Sequence, residues 1–190
     1  MPSIYRAAGR VFAAGLVLAC FSGQAFAVLN ASATISTPQT SAPFNYTITL
    51  HNTGDTNIGT FWFAWTATPA SYDFLPTSPT NIGMPAGWIA PISHSLFPGD
   101  GYGIEYYNVS GSPISAGGSQ TFTFTSNETP ATINGPAFFP GNNVSTSFVY
   151  IGFPQSDAGF KFNVQVVPEP TCVMLGSIGG LIGFAMRRRR

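Results

Sequence analysis

Charge is scarce in this chain: Asp, Glu, Lys and Arg together make up 7% of it, against about 25% in an average soluble domain. The few charges are also unevenly spread. Arg6 and Arg10 stand near the start, Arg187–Arg190 close the sequence, and Lys161 is the sole base between them. Over residues 28–167 that lysine faces Asp55, Asp73, Asp100, Glu105, Glu128 and Asp157. A mildly acidic body with one lysine cannot neutralise a phosphate backbone, so nucleic acid is excluded as a partner. Cysteine is missing from the same stretch, since Cys20 and Cys172 lie on either side of it. The body therefore has no disulfide, no thiol nucleophile and no cysteine-based metal site. A helical hydrophobic period is absent there too. Aromatics, by contrast, reach 14%, which excludes a disordered chain.

What is present at the two ends is organised. Arg6 and Arg10 precede an apolar run over Val11–Phe21, and Ala25-Phe26-Ala27 forms an A-x-A cleavage site. These are the three parts of a secretory signal peptide, expected over residues 1–27. The run is about half the roughly 20 residues a membrane span needs. Lipidation at Cys20 is the rival reading, weakened by Leu18 in the preceding Val17-Leu18-Ala19. At the other end, Val167-Pro168-Glu169-Pro170 leads into an apolar, Gly-rich stretch over Thr171–Met186 and then Arg187, Arg188, Arg189 and Arg190. Sixteen helical residues span about 24 Å, short of a bilayer core of about 30 Å, a gap that snorkelling arginines can cover. The positive-inside rule keeps the arginines in the cytoplasm and the body outside. A GPI signal would end in the hydrophobic tail rather than in charge. Gly176/Gly180 and Gly179/Gly183 form two overlapping G-x-x-x-G pairs, which admit a second helix at close range.

The motif over residues 167–170, the helix over 171–186 and the basic tail over 187–190 resemble, in that order, the PEP-CTERM sorting signal of Gram-negative bacteria. The resemblance implies a membrane-embedded exosortase-type processing enzyme as partner, besides the secretion machinery, and an association with exopolysaccharide and biofilm matrix. It implies an address and not an activity. Pro168 and Pro170 hold the motif extended, as a protease cleft requires.

The body over residues 28–166 is expected to be a single β-sandwich. Phe44, Tyr46, Ile48 and Leu50 alternate with Asn45, Thr47, Thr49 and His51; Phe122 and Phe124 alternate with Thr121, Thr123 and Thr125. Phe160, Phe162, Val164 and Val166 alternate in the same way, and Tyr102, Ile104 and Tyr106 share a face opposite Tyr107. Period two with one polar face predicts half-buried antiparallel strands. Leu29–Ile35 alternates more weakly, while Ile58–Ala67 and Ser147–Phe153 are apolar on both faces and suit central strands. Asn52-Thr53-Gly54-Asp55 predicts a hairpin turn, and Phe97-Pro98-Gly99-Asp100 and Phe139-Pro140-Gly141-Asn142 predict type II turns. Thr68–Pro85 and Ser126–Gly141 are too proline-rich for strands and are expected as long surface loops. Tyr46-Thr47-Ile48-Thr49-Leu50-His51-Asn52-Thr53-Gly54, Met84-Pro85-Ala86-Gly87 and Gly118–Phe124 resemble the Ig-like modules repeated in bacterial surface proteins. That resemblance implies an Ig-like sandwich with a spacer or adhesion role.

Catalytic signals are thin. A hydrolase needs a nucleophile, a base and an orienting group, yet no G-x-S-x-G frames a serine. His94 lies between Ser93 and Ser95 with no carboxylate nearby in sequence, and His51 falls on a polar strand face. Neither zinc nor calcium is expected: the two histidines are scattered, and Asn52, Asp55 and Asn57 lack a calcium-loop spacing. The sequons at Asn30, Asn45, Asn108, Asn127 and Asn143 mark hydroxyl-rich faces. Carbohydrate binding is the rival function. Trp62 and Trp65 are expected in the core, whereas Trp88 and Tyr107 are expected exposed and would stack on sugar rings, with Asp100 and Glu105 accepting hydroxyls. The reading is thus an exported, membrane-held, non-enzymatic surface or matrix protein without cofactor or metal. A polysaccharide-binding sandwich stands second and a secreted hydrolase third.

Overall fold

The computed structural model describes residues 27–67, 70–94, 100–153, 155 and 157–167. Of the expected processing and sorting residues only Ala27 and Val167 fall within it. Ala25, Pro168, Glu169, Pro170, the helix over 171–186 and Arg187–Arg190 lie outside the described residues, as does the Phe97-Pro98-Gly99 turn. Among the described residues no helix is long and apolar enough to cross a membrane.

In chain order the strands are β1 (Ala31–Ser36), β2 (Phe44–Asn52), β3 (Thr60–Phe63), β4 (Trp65–Thr66), β5 (Tyr72–Asp73), β6 (Thr80–Gly83), β7 (Trp88–Ile89), β8 (Ile92–Ser93), β9 (Gly103–Asn108) and β10 (Ser119–Ser126). A short helix α1 (Pro130–Asn134) precedes β11 (Thr146–Tyr150), β12 (Phe160–Asn163) and β13 (Gln165–Val166). One sheet has the order β13-β1-β2-β10-β6. The second has β12-β11-β3-β9-β7, with β8 also on β9, and β4 and β5 form a separate ribbon. The all-β sandwich is therefore present. Its core forms where the apolar faces of the two sheets meet. Phe122 and Phe124 of β10 point at Phe61 and Phe63 of β3, with ring centroids 5.4 and 5.2 Å apart, and Tyr106 of β9 lies 4.5 Å from Phe122. Each such ring contributes about 1.5–3 kcal/mol by leaving water.

Several expectations are corrected. The sandwich is not wholly antiparallel, because β13 pairs parallel with β1, Thr34 opposite Gln165 and Ile35 opposite Val166. The Phe160–Val166 run is not one strand. It changes sheets at buried Val164, whose N–H donates to the Ser145 carbonyl at 3.0 Å. Ile58–Ala67 breaks at Ala64, which adopts a left-handed φ of 57°, so that Trp65 turns back over the sheet instead of continuing the strand. Asn52–Asp55 joins β2 to β3 across the two sheets and is no hairpin. Buried Asn52 organises it, accepting from the Gly54 N–H and donating to the carbonyls of Thr56 and Ile114. The proline-rich stretches are not bare loops. The first contains β5 and the edge strand β6, the second α1, which Thr129 caps by accepting from the Thr132 N–H at 3.1 Å and buried Ile133 anchors. Gly141, at φ 80°, fits its expected type II turn.

Candidate functional site

The outer face of the second sheet carries the most unusual surface. Along β9, Ile104 and Tyr106 point into the core, so Glu105 and Tyr107 point out. Cross-strand pairing sets their neighbours. Phe148, Trp62 and Glu105 form one row across β11, β3 and β9; Tyr150, Thr60, Tyr107 and Ile89 form the next, ending on β7. Trp65 folds onto the first part of this face. It stacks on Trp62 at 4.4 Å and presents its edge to Phe148 at 5.4 Å. Trp62, Trp65, Phe148 and Tyr150 thus make a second apolar cluster, apart from the main core. Both tryptophans are buried as expected, but in this cluster and not between the sheets. The Trp62 indole N–H has no acceptor there among the described residues. Burial pushes the Tyr150 phenol up to about 12, with Asp157 adding to the shift.

The next part of the face is open. Tyr107 is half-buried, and the ring of Phe153 meets it edge-on at 5.6 Å while remaining 70% exposed. Ile89 beside Tyr107 is exposed, as is Val109 just beyond the end of β9. The backbone leading into Phe153 is held. Asp157 accepts from the N–H groups of Ile151 and Gly159, and the Thr60 hydroxyl donates to the Gly152 carbonyl at 2.6 Å. A Cβ at Gly59 would come within 2.6 Å of the Ile151 carbonyl oxygen, so close approach of the two segments requires glycine there. Glu105 is half-buried, and burial alone raises its carboxyl above the usual carboxylate range.

Of the two expected stacking residues, only Tyr107 reaches the outer face, and it is half-buried there. Trp88 is corrected: it is 5% exposed. Its β7 partner is Asn108, on the inward side of β9, so its ring packs edge-on against Phe122 at 5.4 Å and its N–H reaches the Ser112 carbonyl at 3.3 Å. Phe153 was hidden from sequence reasoning inside the doubly apolar run Ser147–Phe153. The signal that could have found it is Gly152, which ends the run's strand character before the last ring.

A second polar cluster surrounds His94. The fold links Ser93 to Asp73, twenty residues earlier, and Asp73 to Asp100. Asp73, 2% exposed, accepts from the Ser93 hydroxyl, and the Asp73 N–H donates to Asp100 at 2.6 Å. His94 instead stacks on Tyr102 at 4.4 Å, with its Nδ1 2.6 Å from the Gly101 carbonyl oxygen. Serine and histidine thus engage different partners, whereas nucleophilic catalysis requires them to engage each other. His51 lies exposed on the first sheet, its Nδ1 2.8 Å from the Ser119 hydroxyl. Among the described residues no three His, Cys, Asp or Glu side chains converge as metal ligands.

No protein-family profile and no curated protein matches this chain. Among solved structures, it is similar to a GH20 exo-β-N-acetylglucosaminidase from Vibrio harveyi in complex with N-acetylglucosamine, at 13% identity over 73% of this chain with a TM-score of 0.39. The chain spans 18% of that enzyme's length. It is also similar to a CBM3 of Hungateiclostridium clariflavum, at 12% identity over 73% of this chain and 99% of that one, with a TM-score of 0.38. Likenesses this distant assign neither protein's properties to this chain. What the fold defines is a class: an all-β sandwich.

Proposed function

We propose that this chain is an exported, non-enzymatic surface or matrix protein, held by its C-terminal helix and released by an exosortase-type enzyme near Pro168–Pro170. The observation that carries this reading is the order of Val167-Pro168-Glu169-Pro170, apolar Thr171–Met186 and Arg187–Arg190 directly after the last strand. The geometry of that strand is compatible with it. The Val167 N–H still bonds the Ile35 carbonyl at 2.9 Å, so the motif begins where the sandwich ends. Because β1 and β13 run parallel, Ala31 and Val166 lie at opposite ends of this strand pair, which suits a body tethered at one end. An Ig-like spacer is the finer form of the proposal. Mass spectrometry of the mature protein from its native cells tests it: the expected terminus lies near Pro168–Pro170. Glu169→Ala, or neutral residues at Arg187–Arg190, should leave export intact and misroute the body. A released protein that still ends in Arg190 would refute processing.

A further inference from the structure

We propose that the outer face of the second sheet, around Tyr107, Phe153 and Glu105, is a binding site for a neutral polysaccharide chain. The proposal goes beyond the sorting reading and does not depend on it.

Phe153 carries the argument first. A ring exposed to this degree costs solvation free energy that a free loop would relieve by collapse, yet the backbone leading into it, at Ile151 and Gly152, is held by Asp157, Thr60 and the close approach at Gly59. A ring fixed in place before binding loses little conformational freedom when something packs on it. Tyr107, meeting Phe153 edge-on, and Ile89 extend this into a rigid apolar strip across the sheet.

Glu105 then selects the occupant. It stands two residues from Tyr107 on the same face, about 7 Å along the strand. An apolar protein surface closing over the strip would bury that carboxylate without a partner, which opposes such a contact. A pyranose chain meets both demands: its C–H faces pack on rings, and its hydroxyls donate to a carboxylate. Charge narrows the class further. Lys161 is the only lysine or arginine over residues 28–167; it stands on this same face opposite Phe148, on the edge strand β12, where it donates to Asn142 at 2.6 Å. With Glu105 in the strip, Asp157 beside it and Lys161 at the far end of the Glu105 row, three strands away, an anionic polymer is repelled and a neutral one is not.

Affinity electrophoresis of the full-length chain in mild neutral detergent tests this, with gels containing dextran, laminarin or hydroxyethylcellulose as neutral probes and alginate as the anionic one. Retardation by at least one neutral polymer and none by alginate is expected. Phe153→Ala and Tyr107→Ala should each weaken that retardation about tenfold or more, as loss of a central aromatic anchor does. Phe153 is exposed, so its variant should melt like the wild type, and any lost retardation then reports binding. No retardation by any of the three neutral gels would overturn the proposal, as would equal retardation in the Phe153→Ala chain or stronger retardation by alginate. A dimer in sedimentation that Phe153→Ala dissolves would assign the strip to a second copy of the chain and overturn it equally.

Discussion

The two sheets have matching inner faces and contrasting outer ones. Outward on the first sheet stand Ser32, Thr34, Asn45, Thr49, His51, Ser119 and Thr121, all exposed, neutral and small apart from the histidine. Outward on the second stand Trp62, Phe148, Tyr150, Glu105 and Tyr107, with Thr60 between the last rings, Lys161 at the β12 edge, and Trp65 and Phe153 laid over them. The contrast shows that alternation alone does not make a solvated face. On the first sheet the second period of the pattern is filled with hydroxyls and meets water. On the second it is filled with rings, which need either a cover, as Trp65 gives Trp62, or a ligand, as proposed for Tyr107 and Phe153.

Three truncations would sharpen the comparison, read by chemical denaturation. Phe122→Ala removes a ring that touches Phe61, Tyr106 and Trp88 in the main core; a loss of about 3–5 kcal/mol is expected. Trp65→Ala strips the cover from the outer cluster, with an expected loss of roughly 3 kcal/mol, near the bottom of the same range because the cavity opens to water and can collapse. Thr121→Ala on the first sheet's outer face should change stability by no more than about 0.5 kcal/mol. Equal losses for Trp65 and Thr121 would mean that the two outer faces do not differ energetically.

A smaller effect separates the faces by pH. The Glu105 carboxyl is raised by burial, so between the ordinary carboxylate range and its raised value the native state binds more protons than the unfolded one. Stability should therefore fall as pH rises through that window and level off above it. Glu105→Gln should remove that fall, so the variant gains on the wild type as pH rises. Parallel pH profiles for the two chains would contradict this.

Much of this architecture was legible in the sequence, for a physical reason. Phe44–Leu50, Phe122/Phe124 and Ile104/Tyr106 alternate because one side of each strand is buried, and the burial pattern follows the residues one by one. The side of β9 that Tyr107 occupies was readable from the same parity. Elements held only by tertiary pairing were not. β5, β6 and β7 are two to four residues long, too short to display a period. The run Phe160–Val166 alternates identically on both sides of Val164, so nothing local marks the change of sheet. Trp88 illustrates the limit for the site: its exposure depends on which residue of β9 it faces, and that pairing is settled twenty residues away. The acid that engages Ser93 was hidden likewise, because Asp73 arrives on β5, a strand that its proline-rich surroundings concealed.

The most direct test of the difference between the two outer faces is oxidative footprinting of the full-length chain, with and without whichever neutral polysaccharide retards it. Tyr107 and Phe153 should lose reactivity when the polymer is added, while His51, exposed on the first sheet, keeps it. Protection of His51 with Tyr107 and Phe153 unchanged, or protection spread evenly over all three, would contradict the account.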